Sequence, residues 1–237
     1  MNKSFFLSIL CCFIYITTAT SQELTGQQLL EKSIQYHDPN GNWKTFNGTL
    51  QVTMETPKNE PRVSTIKINL PKEYFYLKAA RDGKTTEYTI EKNDCTIAFN
   101  GKTDISEEVI KENKLSCERA NLYKNYYTYL YGLPMKLEDK GTIIDPKVMK
   151  KTFKGKEYLV LKATYAESVG KDTWYFYFDP KTYAMEVYQF YKDESKNDGE
   201  YILLTEEAVI NGVKMPKKRA WYYNKDNGYL GTDILGN

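Results

Sequence analysis

The chain has 237 residues, and its 33 basic and 31 acidic side chains leave a formal net charge of +2, too balanced for nucleic acid or an anionic membrane surface to be a default partner. A single histidine excludes a histidine-based metal cluster. No phosphate-binding glycine loop or dinucleotide fingerprint occurs, so no cofactor is expected.

The chain opens with Lys3, an apolar run from Phe5 to Ile16 and the small-residue site Ala19-Thr20-Ser21. That pattern predicts a signal peptide over Met1–Ser21, leaving one domain from Gln22 to the end. Cys11 and Cys12 lie inside the apolar run, and Leu10 is too large for a lipoprotein cleavage box. The expectation is a soluble periplasmic or secreted protein. The apolar run is too short to span a bilayer, and no later stretch approaches the ~20 apolar residues a spanning helix needs.

Leu24–His37 reads as an amphipathic helix, with Thr25 and Gln28 as a capping box and Leu24 with Leu29 as a hydrophobic staple. Asp38-Pro39-Asn40-Gly41 ends it. In Phe46–Glu55, Phe46, Leu50, Val52 and Met54 alternate with polar residues, the period of a half-buried strand. Arg62–Leu70, Glu73–Ala80, Thr85–Lys92 and Cys95–Phe99 continue as an antiparallel meander with short turns. Ser106–Asn113 is a short polar helix. Leu115–Asp139 is read around one helix capped by Ser116, closed by a left-handed Gly132 and stopped by Pro134. Ala120, Tyr123, Tyr127, Leu130 and Tyr131 recur at spacings of three and four, and Tyr126 widens that stripe. Gly141–Pro146 is a connector. Strands then run over Lys147–Phe153, Glu157–Ala166, Asp172–Phe178, Tyr183–Lys192, Glu200–Ile210, Met215–Tyr223 and Tyr229–Ile234. No βαβ alternation appears, so a parallel sheet is not expected.

Beyond the leader two cysteines remain, Cys95 and Cys117. An even count in an exported chain points to a disulfide, the alternative being two buried reduced thiols. His37 reads as a helix-end residue hydrogen-bonded near Trp43 rather than a catalytic base, since Asp38 is too near in sequence to orient it. The acidic pairs lie on polar faces, and nothing selects two of them for a glycosidase-like cleft. No catalytic residue is assigned.

What remains is aromatic. A lone tyrosine-rich helix among strands needs burial, so it is expected to plug the concave face of one curved antiparallel sheet. The fold class is α+β, mostly antiparallel β. Trp174, Phe176 and Phe178 share one strand face, with Tyr175 and Tyr177 on the other. If the space between sheet and helices does not fill, it becomes an apolar cavity. The candidate ligand-binding residues are Tyr123, Tyr126, Tyr127, Leu130 and Tyr131 from the helix, Leu50, Val52 and Met54 from the first strand, and Trp174 and Phe176. The expected partner is a lipid or other apolar small molecule. The competing readings are an envelope-structural or protein-interaction module with a filled core, and a hydrolase without a sequence signature. Oligomeric state has no signature here.

Several blocks carry a resemblance: YHDPNGNW at 36–43, CERANLY at 117–123, NYYTYLYGLPMKLED at 125–139, the long run from Gly170 to Leu204, and NGVKMPKKRAWYYN at 211–224. They resemble the DUF6503 family of exported Bacteroidetes proteins, over nearly all of the mature chain. That family has no established activity, so it implies no catalytic residues. More distantly, the order of helix, strands, inserted helices and strands resembles the LolA/LolB/LppX-like half-barrel. That likeness implies a curved sheet, lidded by helices, around a cavity that takes acyl chains. The carrier family's functional arginine has no clear counterpart in this sequence.

Overall fold

The computed structural model describes residues 23–236; the expected signal peptide lies outside the described residues. After the helix α1 (Gly26–His37) come β1 (Asn47–Thr56), β2 (Asn59–Asn69), β3 (Tyr74–Arg81), β4 (Lys84–Glu91) and β5 (Asp94–Phe99). The helices α2 (Glu107–Asn113) and α3 (Cys117–Gly132) follow. Then come β6 (Thr142–Ile144), β7 (Met149–Phe153), β8 (Lys156–Tyr165), β9 (Thr173–Phe178), β10 (Met185–Tyr191), β11 (Glu200–Ile210), β12 (Val213–Tyr223) and β13 (Tyr229–Leu235).

All thirteen strands join one open sheet in the order β5-β4-β3-β2-β1-β13-β12-β11-β10-β9-β8-β6, with β7 also on β8. Every pairing is antiparallel. Two meanders, one on each side of the helical insertion, are stitched together where β1 meets β13, with Val52 opposite Leu235. The sheet curves around α1 and α3, which fill its concave side. Ala120, Tyr127 and Tyr131 of α3 pack on Leu50, Val52, Ile66, Phe75 and Leu77 of the first meander. Leu130, with Leu29 and Leu30 of α1, packs on Phe176, Phe178, Tyr188 and Ile202 of the second. One helix thus presents tyrosines to one half of the sheet and a leucine to the other, which the three-and-four spacing of its stripe permits. On the convex side, Phe153 lies 5.3 Å from the rings of both Tyr177 and Tyr201, so the β7–β8 hairpin tip folds back over the outer face.

The local signals mostly act as sequence reading expects. Thr25 and Gln28 form a reciprocal capping box, although the helix starts at Gly26 rather than Leu24. Ser116 caps α3 through the N–H of Arg119. Cys95 of β5 and Cys117 of α3 are disulfide-bonded, their Cα atoms 6.0 Å apart.

Three expectations need correction. Gly132 does not adopt a left-handed backbone; it is the last helical residue. A Cβ there would stand 2.3 Å from the Trp43 ring, so glycine is required by close packing rather than by dihedral freedom. The supposed connector Gly141–Pro146 contains β6. Its break at Asp145-Pro146 receives the start of α1, where the Gly26 N–H donates to the Pro146 carbonyl at 2.9 Å. A Cβ on Gly26 would meet the Asp145 carbonyl at 2.0 Å.

The third correction concerns His37. It does end α1, but its bonds run to the sheet, while the Asp38 carboxylate is what accepts from the Asn42 and Trp43 N–H groups. The His37 Nε2 accepts from the Met185 N–H at 3.0 Å, which leaves Nδ1–H to donate to the Lys214 carbonyl at 3.0 Å. That geometry fits only the neutral ring, and burial pushes its pKa below the usual 6.5. The unfolded chain therefore binds this proton more readily. The contribution to stability is complete above pH 6.5 and declines as pH falls through 6.5 toward the folded-state value. Each unit of depression corresponds to about 1.4 kcal/mol. Thermal unfolding between pH 7.5 and 5.5 is expected to show a falling midpoint, and His37→Gln, which keeps an acceptor for Met185, is expected to flatten that slope. An unchanged slope in the variant would assign the acid sensitivity elsewhere.

Candidate ligand cleft

Helix α3 carries a second apolar stripe. Leu122, Tyr126 and Tyr129 follow one another at i, i+4 and i+7, which turns them to the flank facing β6, β8 and β9. Opposite them stand Tyr165 at the end of β8, Trp174 of β9, Thr142 of β6 and Val169 of the β8–β9 loop. Together they enclose an open cleft of about 710 Å³, in the size range of small-molecule sites.

The inner wall is aromatic and supported from behind. Trp174 stacks on Phe190 at 4.9 Å and on Phe176 at 6.0 Å, and takes the Tyr129 ring edge-on at 5.7 Å. Tyr126 stacks on Trp221 at 6.3 Å. The Tyr129 and Tyr165 hydroxyls bond to each other. Burial, and then each other's proximity, pushes Tyr129 well above the ordinary phenol range; burial brings Tyr165 to about 12. Both are neutral hydroxyls at physiological pH. The outer lip is apolar as well: Leu122 is 69 % exposed and Val169 57 % exposed. Lys124, Lys136 and Lys140 share the rim with Asp139 and Asp172, and Lys136 pairs with Asp139. An apolar body with a wet, mostly basic rim suits a ligand with an apolar part and a polar end. Among the described residues no group of three histidine, cysteine or acidic side chains is placed to hold a metal ion.

Of the candidate residues from sequence, Tyr126 and Trp174 line this cleft. Tyr127, Leu130, Tyr131, Leu50, Val52 and Phe176 lie in closed core. Tyr123 is half-buried beside Arg62 and Arg119. Met54 is half-buried, between Asp233 and Arg62 in cross-strand register. Sequence reading missed Leu122, Tyr129, Tyr165 and Val169. The 122/126/129 spacing was the available signal, masked by the stronger tyrosine stripe beside it.

Beneath the aromatic wall lies a buried polar group. Arg219 of β12 is 1 % exposed and Asp233 of β13 4 % exposed, and they face each other in register. The Arg219 guanidinium donates to the carbonyls of Pro216 (3.1 Å) and Leu130 (3.3 Å) and sits 4.0 Å over the Tyr131 ring. Asp233 accepts from the Trp221 indole at 3.2 Å. Burial raises the Asp233 pKa, opposed by the charges of Arg219 and Arg62.

Solved structures share this architecture. A LolA superfamily protein from Nitrosomonas europaea matches at a TM-score of 0.54 and 11 % identity, covering 91 % of this chain and 93 % of its own. A domain named for outer membrane lipoprotein sorting, from Vibrio parahaemolyticus, matches at 0.51 and 10 %, covering 90 % of each chain. A DUF1329 family protein from Desulfovibrio piger matches at 0.52 and 8 %, covering 90 % and 91 %. At such identities the likeness is one of fold, and the fold is LolA-like. No curated protein matches the chain. The sequence itself matches a family over residues 3–236, and the chain accordingly belongs to DUF6503, a family of unknown function.

Proposed function

We propose that this protein binds a lipid or other apolar ligand in the cleft between α3 and strands β8 and β9, and that it works outside the cytoplasm. The observation that carries the reading is the exposed lip of Leu122 and Val169 over a wall of Tyr126, Tyr129 and Trp174. Exposed large apolar side chains at the mouth of an aromatic cleft expose apolar area to water unless something covers them. The lipoprotein-sorting name of the Vibrio neighbour, whose fold this chain shares, supports acyl chains as the ligand class. The tripartite N-terminal pattern and the disulfide support export. No helix among the described residues is long and apolar enough to cross a membrane. In this reading Tyr127, Tyr131 and Phe176 act from behind, holding the wall in place.

The test is uptake of a fluorescent fatty-acid probe. Leu122→Asp and Val169→Asp place a carboxylate at the lip, at positions exposed enough to spare the fold. Each is expected to weaken uptake about tenfold or more, equivalent to about 1.4 kcal/mol, while the unfolding midpoint stays within a degree or two. A wild type that takes up no probe, or variants that bind it equally well, would defeat the proposal.

A further inference from the structure

The chain contains four arginines, at 62, 81, 119 and 219, among its 33 basic residues, the other 29 being lysines (33 − 4). The two types are segregated. Every ion pair found among the described residues uses a lysine. Three of the arginines lie on the concave face of the sheet, and the fourth, Arg119, is exposed on α3. Arg219 faces Asp233, Asp233 faces Met54, and Met54 faces Arg62, across four adjacent strands. Val63 pairs with Ala80, which sets Arg81 next in that row on β3. The row therefore holds three guanidiniums and one carboxylate, an excess of two positive charges (3 − 1).

Buried charge is normally paired, and here the pairing is incomplete. Arg62 gives one N–H to the Tyr127 hydroxyl at 3.0 Å, but its Nε is buried without a partner, as are Nε and Nη2 of Arg81. Arg119 approaches from α3: it and Arg62 stand 5.7 and 5.9 Å from the centre of the same Tyr123 ring. Buried N–H groups left unbonded cost about 1–3 kcal/mol each, and the guanidinium fork matches the paired oxygens of a phosphate or carboxylate in a way an ammonium does not.

We propose that Arg62, Arg81 and Arg119 form an oxyanion site for a phosphate-type group. Arg119, Tyr123 and Tyr127 occupy one flank of α3, and the cleft residues Leu122, Tyr126 and Tyr129 the other. The site is thus separate from the cleft and does not rest on its reading. Its anion is either free in solution or the headgroup of an amphiphile.

Calorimetric titration with inorganic phosphate, decyl phosphate and decanol distinguishes these. The wild type is expected to bind a phosphate species at least tenfold more tightly than decanol, less so as salt rises. Arg81→Gln and the double variant Arg62→Gln/Arg81→Gln are expected to lose that preference, and Leu122→Asp to retain it. Binding of inorganic phosphate alone identifies a free anion; binding of decyl phosphate only identifies a headgroup. Should neither phosphate species exceed decanol, or should Arg81→Gln, checked by its unfolding midpoint, bind them as wild type does, the site does not exist.

Discussion

Arg219→Met is expected to lower the free energy of unfolding by about 2–6 kcal/mol, at about 1–3 kcal/mol for each of the two buried carbonyls it leaves without a donor. That is a large share of the roughly 5–15 kcal/mol that holds a domain folded. Three losses combine. The Pro216 and Leu130 carbonyls lose their donors, the Tyr131 ring loses its cation, and Asp233 is left buried without its nearest opposing charge. The Leu130 bond is the one that ties α3 to β12. The loss has a pH signature. Asp233 already has a folded-state pKa above its unfolded value, so its carboxylate destabilises the fold at neutral pH and this penalty is relieved as pH falls through the folded value. Without Arg219 that pKa rises further. Urea unfolding should therefore show the gap between variant and wild type narrowing from pH 7 to pH 5. A gap that is small at pH 7, or constant with pH, would mean that Asp233 is stabilised by something other than its arginine neighbour. The lysine pairs on the outside offer a contrast, since exposed pairs such as Lys84 with Glu112 are worth about 0–1 kcal/mol.

Replacing both Cys95 and Cys117 by alanine is expected to cost roughly 3 kcal/mol by the chain-entropy relation for the loop they close. Their separation is 22 residues. The bond joins the strand at one end of the sheet to the first turn of α3, and α2 together with its flanking loops lies inside the loop. Denaturant melts of the double variant, and of wild type under reductant, should shift by similar amounts. A shift below about 0.5 kcal/mol in both would show that packing of α3 on β4 and β5 suffices by itself.

Much of this fold was legible because its determinants are local. Period-two strands such as 46–55, short polar turns, the Thr25–Gln28 capping box and Ser116 before α3 each act within a few residues. Three features were not legible, because each is settled by a distant contact. The need for glycine at 132 is set by the Trp43 ring, nearly ninety positions away. Strand β6 is three residues long, too short to show a period, and is defined by its pairing with β8 some twenty residues on. Arg62, Arg219 and Asp233 break the apolar alternation of their strands, and a charge at an inward position reads as a strand end or a register error until its cross-strand partners are known. Of the helix residues chosen from sequence only Tyr126 borders the cleft, the others lying on the neighbouring side of α3. Tyr127 and Tyr131 are the stronger apolar signal and so take the core, leaving the weaker 122/126/129 flank to border open space.

The gap at Asp145-Pro146 that receives α1 has a consequence for how the protein behaves among copies of itself. An open sheet ends in unsatisfied backbone donors and acceptors, a template onto which another chain can add. Here the terminal run on the β8 side is cut into pieces of three and five residues, carries Lys147, Lys150 and Lys151, and has the helix start bonded into the break at Pro146. At the opposite margin β5 is six residues long and tethered to a helix by its cysteine. Both margins are therefore poor templates for fibril growth, and a chain that lost α1 would uncover one of them.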